Sequence, residues 1–120
     1  MNIEDVVDIF ARLSGIAAED IIKFRFMCLT SYEYVKSHTK SGTDMSVYGG
    51  RLAFAAATLA YYRYILWCLT DGDGSEIKVG DISVKPVSEK QLDSADKLCR
   101  NAFSAVSEVF DDGSFVFERI

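Results

Sequence analysis

Leu52 to Leu69, LAFAAATLAYYRYILWCL, carries only Thr58 and Arg63 as polar side chains apart from its tyrosines. A helix that is apolar around nearly its whole circumference has to be covered on most sides. In a chain of 120 residues that makes it the central helix, packed by the remaining segments or by another copy of the protein. The run is long enough to suggest a membrane span, but Arg63 stands well inside it and five alanines dilute its hydrophobicity. A core helix is therefore expected, with no membrane. The same stretch holds no nucleophile with a base, no metal-ligand pair and no phosphate loop.

Length and charge narrow the classes further. A chain of this size is one domain, residues 1–120, with enough material for a core but near the size at which partners help. Thirteen Lys plus Arg stand against 18 Asp plus Glu, a net charge of −5, and a sequence-independent grip on nucleic acid needs a basic footprint. No sequence-specific nucleic-acid partner is expected. Cys28, Cys68 and Cys99 are odd in number and sit in apolar helical patterns with no CxxC or Cys/His spacing. They read as buried, unpaired thiols of a reducing cytoplasm. The acidic N-terminus MNIEDVVD lacks the positive charge of a secretory signal.

Outward from the central run, the pattern predicts a mainly α fold: four helices, a small β-hairpin between helices 3 and 4, and an extended C-terminal tail. Asn2 caps a first helix with the stripe Ile3, Val6, Val7, Phe10, Leu13, and Gly15 ends it. A second helix is expected from about Ala18 to Ser37 through Ile21, Phe24, Cys28, Tyr32 and Val35, its start favoured by Glu19 and Asp20. KSHTKSGTD reads as a polar loop. Thr43 or Asp44 caps the third helix, whose first turns Gly49 and Gly50 weaken by about 1 kcal/mol each. They mark either a later start or a close approach of another backbone.

After the central helix, EIKVGDISVK (residues 76–85) reads as a hairpin with a type II′ turn at Gly80-Asp81. Val79 then opposes Ile82, and Ile77 opposes Val84, on one apolar face. Ser88 with Gln91 forms a capping box for a fourth helix, with the stripe Leu92, Ala95, Cys99, Ala102, Val106, Val109 widened by Leu98, Phe103 and Phe110. Asp111-Asp112-Gly113 is expected to stop it. The tail SFVFERI (residues 114–120) is rich in β-formers. A two-stranded ribbon is marginal alone, and Phe115, Val116, Phe117 and Ile120 offer apolar groups on both faces of a strand. Ile77, Val79, Ile82, Val84, Phe115, Val116, Phe117 and Ile120 are thus the candidate interface. They either fold over the protein's own helices, join into one three-stranded sheet, or add strands to a neighbouring subunit.

No catalytic, cofactor-binding or metal site emerges, and the expected class is not an enzyme. His38 falls in the polar loop without a spaced nucleophile. Asp71, Asp73 and Glu76 imitate the start of a calcium loop, yet the sixth position is Glu76 and the twelfth is Ile82, where that loop needs Gly and Glu. Gly72 and Gly74 lack the strand and the Lys-Ser/Thr of a phosphate cradle. Tyr61, Tyr62, Tyr64 and Trp67 could stack on bases, but only Arg63 stands near them, and stacking surfaces come with a positive groove. No small-molecule substrate is evident.

The order of two early helices closing in YEYVKSHTK, a helix ending in LAYYRYILWCL, a KVGDISVK ribbon, a fourth helix and DDGSFVFERI resembles the head-tail connector, or head-completion, proteins of tailed phages and prophages. In that group an early helix pair closes with a Tyr-rich polar turn similar to Tyr32 through Lys40. An alanine- and tyrosine-rich helix like Ala53 through Tyr64 follows. The resemblance implies a homo-oligomeric ring between portal and tail proteins, assembled in the bacterial cytoplasm and then carried in the virion. An acidic channel surface would let DNA slide where a basic one would hold it. The competing class is a small cytoplasmic helical module acting as a homodimer, with Tyr61, Tyr64 and Trp67 across a two-fold axis.

Overall fold

The computed structural model describes residues 1–71, 77–79, 82–84 and 88–110, with backbone alone at 71, 77–79 and 82–84. In chain order the elements are α1 (Ile3–Ser14), α2 (Ala18–Ile21), a 3₁₀ turn (Ile22–Phe24), α3 (Arg25–His38), α4 (Met45–Asp71), β1 (Ile77–Val79), β2 (Ile82–Val84) and α5 (Glu89–Ser104). The fold is mainly α.

α4 is the centre, and α1, α3 and α5 all pack against it. Leu52, Ala55, Ala56, Ala57, Leu59, Ala60, Ile65 and Cys68 are almost wholly buried, so no single face of α4 is left over as a wet side along this stretch. The alanines let the neighbouring helices approach closely, while Leu52, Leu59 and Ile65 fill the spaces between them. α1 contributes Val6, Val7 and Phe10, α3 contributes Cys28 and Val35, and α5 contributes Ala95, Cys99, Ala102 and Phe103. Met45–Thr70 is long and apolar enough to cross a membrane, and 67% of its most apolar window is buried inside the protein. The buried polar groups are satisfied: among the described residues no buried side-chain N or O lacks a partner.

Helix ends follow local chemistry. Asn2 Oδ1 accepts from the Asp5 backbone N–H at 3.0 Å, and Gly15 closes α1 with φ 71° and its N–H on the Ala11 carbonyl, the left-handed cap that glycine accommodates best. Asp44 caps α4, with Oδ1 accepting from the Ser46 N–H at 3.0 Å and from the Ser46 hydroxyl at 2.6 Å. α4 therefore starts before Gly49 and Gly50 and runs through them. A Cβ built on Gly49 would stand 3.5 Å from the Met1 backbone nitrogen, and one on Gly50 would meet nothing within 4 Å. Ser88 and Gln91 form the reciprocal capping box of α5.

Three expectations are corrected. The second helix is not continuous from Ala18 to Ser37, because a 3₁₀ turn at Ile22–Phe24 separates α2 from α3. Three residues per turn keeps residues three apart on one side, and Ile21 and Phe24 are both buried; Phe24 lies edge-on to Tyr64 at 5.2 Å and to Trp67 at 5.8 Å. His38 is the last residue of α3 rather than part of a solvated loop. The last helix ends at Ser104, not at Asp111-Asp112-Gly113, and tighter turns follow, with the Val106, Ser107 and Val109 N–H groups each bonding three residues back. The chain is drawn off the helical path by a bridge between Thr39 and Phe110, with the Lys40 N–H on the Val109 carbonyl at 2.7 Å.

β1 and β2 pair antiparallel, Ile77 opposite Val84 and Val79 opposite Ile82. The turn at Gly80-Asp81 and the apolar face expected of this ribbon lie outside the described residues, as do the acidic stretch 72–76 and the tail 114–120.

Two glycine substitutions should move stability in opposite directions. Gly50→Ala adds a side chain in open space inside a helix and should stabilise the protein by about 0.5–1 kcal/mol. Gly15→Ala forces alanine into the left-handed cap and should cost about 1–2 kcal/mol. Denaturant unfolding of both variants beside the parent checks the pair.

Candidate functional site

The segment IIKFRFMCL (residues 21–29) carries two apolar stripes. One of them, Ile21, Phe24 and Cys28, is buried against α4. The other points outward: Ile22, in the 3₁₀ turn, and Phe26, on α3, are each 73% exposed, and Leu29 on α3 is 38% exposed. Charged residues border it. Lys23 and Glu33 are both exposed, and the two ion pairs among the described residues, Arg25–Glu4 and Arg100–Asp96, involve neither. Arg25 and Glu4 tie α3 to α1 at the edge of the stripe, and the Arg25 guanidinium holds the Glu4 carboxyl below its ordinary range. The face is thus presented by a braced helix. The sequence contained the signal, since a helix with two full apolar stripes has one more than a single core contact uses; assigning only the first stripe missed it.

Of the eight interface residues expected from the sequence, Ile77 and Val79 lie on β1 and Ile82 and Val84 on β2. Their side chains, and Phe115, Val116, Phe117 and Ile120, lie outside the described residues. Phe110, the last described residue, is held among aromatic rings: His38 stacks on it at 5.7 Å, Tyr34 lies 5.9 Å away, and Phe103 meets it edge-on at 5.1 Å. His38 Nδ1 lies 2.8 Å from the Tyr34 carbonyl and 3.1 Å from Ser37 Oγ. This histidine fastens the C-terminal segment to the end of α3.

Of the aromatic cluster of the central helix, Tyr62 and Tyr64 are buried within the protomer and Tyr61 and Trp67 are half-buried. Tyr64 is only 5% exposed and lies edge-on to Phe10 at 5.9 Å as well as to Phe24. Burial pushes its hydroxyl pKa up, as it does for Tyr61 and Tyr62. Arg63 is half-buried, its Nη1 donating to Ser31 Oγ at 3.2 Å, and burial lowers its pKa. It serves the α3–α4 contact and does not provide a positive groove beside the tyrosines.

Two open clefts meet at Gly50. One, of about 340 Å³, runs between α4 and α5 past Arg51, Phe54, Leu98 and Asn101. The other, of about 220 Å³, lies towards α1 at Asp5, Asp8, Ile9 and Arg12. Arg51 sits over the Tyr48 ring at 5.6 Å, and Tyr48 donates to Glu108 Oε2 at 3.0 Å, which joins the start of α4 to the turns after α5. Among the described residues no group of three or more His, Cys, Asp or Glu side chains converges as a metal site would. What the described surface offers chemically is an apolar contact face. No protein-family model, no curated protein and no solved structure matches the chain.

Cys28, Cys68 and Cys99 are free and buried. Burial raises the Cys28 thiol to about 11 against a small opposing pull from Arg25. It raises Cys99 to about 12, with the Thr58 hydroxyl opposing. A thiolate is the reactive form, so the native protein should react slowly with a thiol reagent at pH 8 and rapidly once denatured. Because both pKa values are higher folded than unfolded, the protein keeps this contribution below the ordinary thiol range and loses it as pH rises through that range towards 11 and 12. Denaturation midpoints should fall over that interval, and less steeply in the Cys28→Ala/Cys99→Ala variant.

Proposed function

We propose that the protein is a non-enzymatic structural subunit that works through protein–protein contacts, and that its setting is a phage or prophage head-tail connector ring between portal and tail. The observation that carries the reading is the outward apolar stripe across the 3₁₀ turn and the start of α3, Ile22 and Phe26 at 73% exposure; exposed apolar surface of this kind marks contact sites. The order of helices and ribbon, and the resemblance it supports, supply the setting. In this reading the β1–β2 ribbon forms a hairpin that, with Ser114–Ile120, makes contacts between subunits or with portal and tail proteins. A ring uses heterologous contacts, one patch against a different patch on the next copy, and in this reading the ribbon and tail would supply one such patch. A net charge of −5 suits a channel that DNA passes without being held.

The alternative is a cytoplasmic homodimeric module; of the surface expected for it, Tyr64 is covered inside the protomer, while Tyr61 and Trp67 are half-buried.

Truncation after Gly113 tests the connector reading. Phe110 is the last described residue and is held by the rings of α3 and α5, so in this reading the four long helices should keep their circular dichroism. Burying one phenylalanine is worth about 1.5–3 kcal/mol, and binding to a portal ring should weaken about tenfold to a hundredfold. Full-length protein that ignores the portal ring would refute the connector setting, and truncated protein that binds it unchanged would remove the tail from the contact.

A further inference from the structure

We propose that the groove between α3 and α5 receives this chain's own C-terminal segment, and that Asp112 lies in it as the acidic partner of Arg63. The inference goes beyond the connector reading and does not depend on it. Arg63, on α4, is half-buried. Its Nη1 donates to Ser31 Oγ on α3 at 3.2 Å, while Tyr34 on α3 and Cys99 on α5 lie near enough to act on its charge. A guanidinium is permanently charged and carries several N–H donors; a serine hydroxyl accepts from one of them and leaves the charge uncompensated. The two ion pairs among the described residues, Arg25–Glu4 and Arg100–Asp96, do not include it. A partly buried cation calls for a carboxylate.

The backbone points to the source of that carboxylate. Phe110 sits between Tyr34 of α3 and Phe103 of α5, and the chain there bridges Thr39 in the antiparallel sense, with the Lys40 N–H on the Val109 carbonyl. Val109 thus faces Lys40 and Phe110 faces Thr39, so the chain is heading back along α3, towards Tyr34 and then Ser31. Ser31 lies three residues before Tyr34, and Cys99 four before Phe103, which puts Arg63 about one helical turn, roughly 5 Å, beyond Phe110 in the same groove. Two residues of extended chain advance about 6.6 Å and return the side chain to the same face. The second residue after Phe110 is Asp112. Its carboxylate falls at the level of Arg63, while Asp111 is turned to the opposite face.

Denaturant unfolding of full-length variants tests the pairing. Asp112→Asn should raise the ratio of unfolded to folded protein about threefold to tenfold, whereas Asp111→Asn, which removes the same charge one residue away, should change it by less than about twofold. In an Arg63→Gln background Asp112→Asn should lose its effect, as two groups that act on each other require. The effect should be the same at about 1 μM and about 100 μM protein, since a contact within one chain does not depend on concentration.

Equal effects of the two aspartate variants, or no effect of either, would overturn the proposal, as would an Asp112→Asn effect that persists in the Arg63→Gln background. An effect confined to the higher concentration would assign the groove to the segment of a second copy and overturn it equally. Should Arg63→Gln not fold, the Arg63 Nε–H resonance of isotopically labelled protein decides. Moved by Asp112→Asn and left in place by Asp111→Asn, it supports the pairing; any other pattern refutes it. None of these measurements uses portal protein, and truncation after Gly113 keeps Asp112, so their outcome is separate from that of the connector reading.

Discussion

Everything in this fold follows from the need to cover α4 on all sides. Its buried residues, from Leu52 through Ala57 and Leu59 to Cys68, go round the helix rather than down one face. No pair of helices can satisfy such an element; it needs neighbours in three directions, and α1, α3 and α5 supply them. The alanines matter as much as the large side chains. Small residues bring helix backbones close, and close packing recovers the dispersion contacts that a loosely covered apolar helix would forfeit. One polar exception, Thr58, turns its hydroxyl back to the Ala55 carbonyl at 2.8 Å and so costs the core no unsatisfied donor.

That demand explains the irregular route of the chain between α1 and α3. To lay Phe24 on Tyr64 and Trp67 while keeping Ile21 buried, the backbone tightens into a 3₁₀ turn. Ile22, one residue after Ile21, is turned away from the core by the same step. Phe26 and Leu29 continue its line along α3. The exposed stripe is a consequence of how the core is filled, set in a segment that is apolar on two sides while α4 needs only one. The C-terminal segment answers to a similar constraint. Phe110 leaves the helical path to join Tyr34, His38 and Phe103, and the backbone bridge at Thr39 fixes that departure.

Much of this is legible in the residues, for identifiable reasons. Caps are local, so Asn2, Gly15 and the Ser88–Gln91 box could be read from a few neighbouring positions. The central role of α4 was legible because composition alone shows that it has no wet face. The break at Ile22 was not, because 3.6-residue periodicity through Ile21, Phe24 and Cys28 looks the same whether or not one turn tightens to three residues. The end of α5 was hidden for a related reason. Val106 and Val109 continue the stripe in spacing, and only contact with α3, far off in sequence, ends the helix at Ser104. His38 was placed in a loop because its immediate neighbours are polar; its ring partners, Tyr34 and Phe110, come from one turn back and from the far end of the chain. The exposed apolar stripe was not legible either, because a core assignment asks which residues can be buried and the stripe consists of those left over.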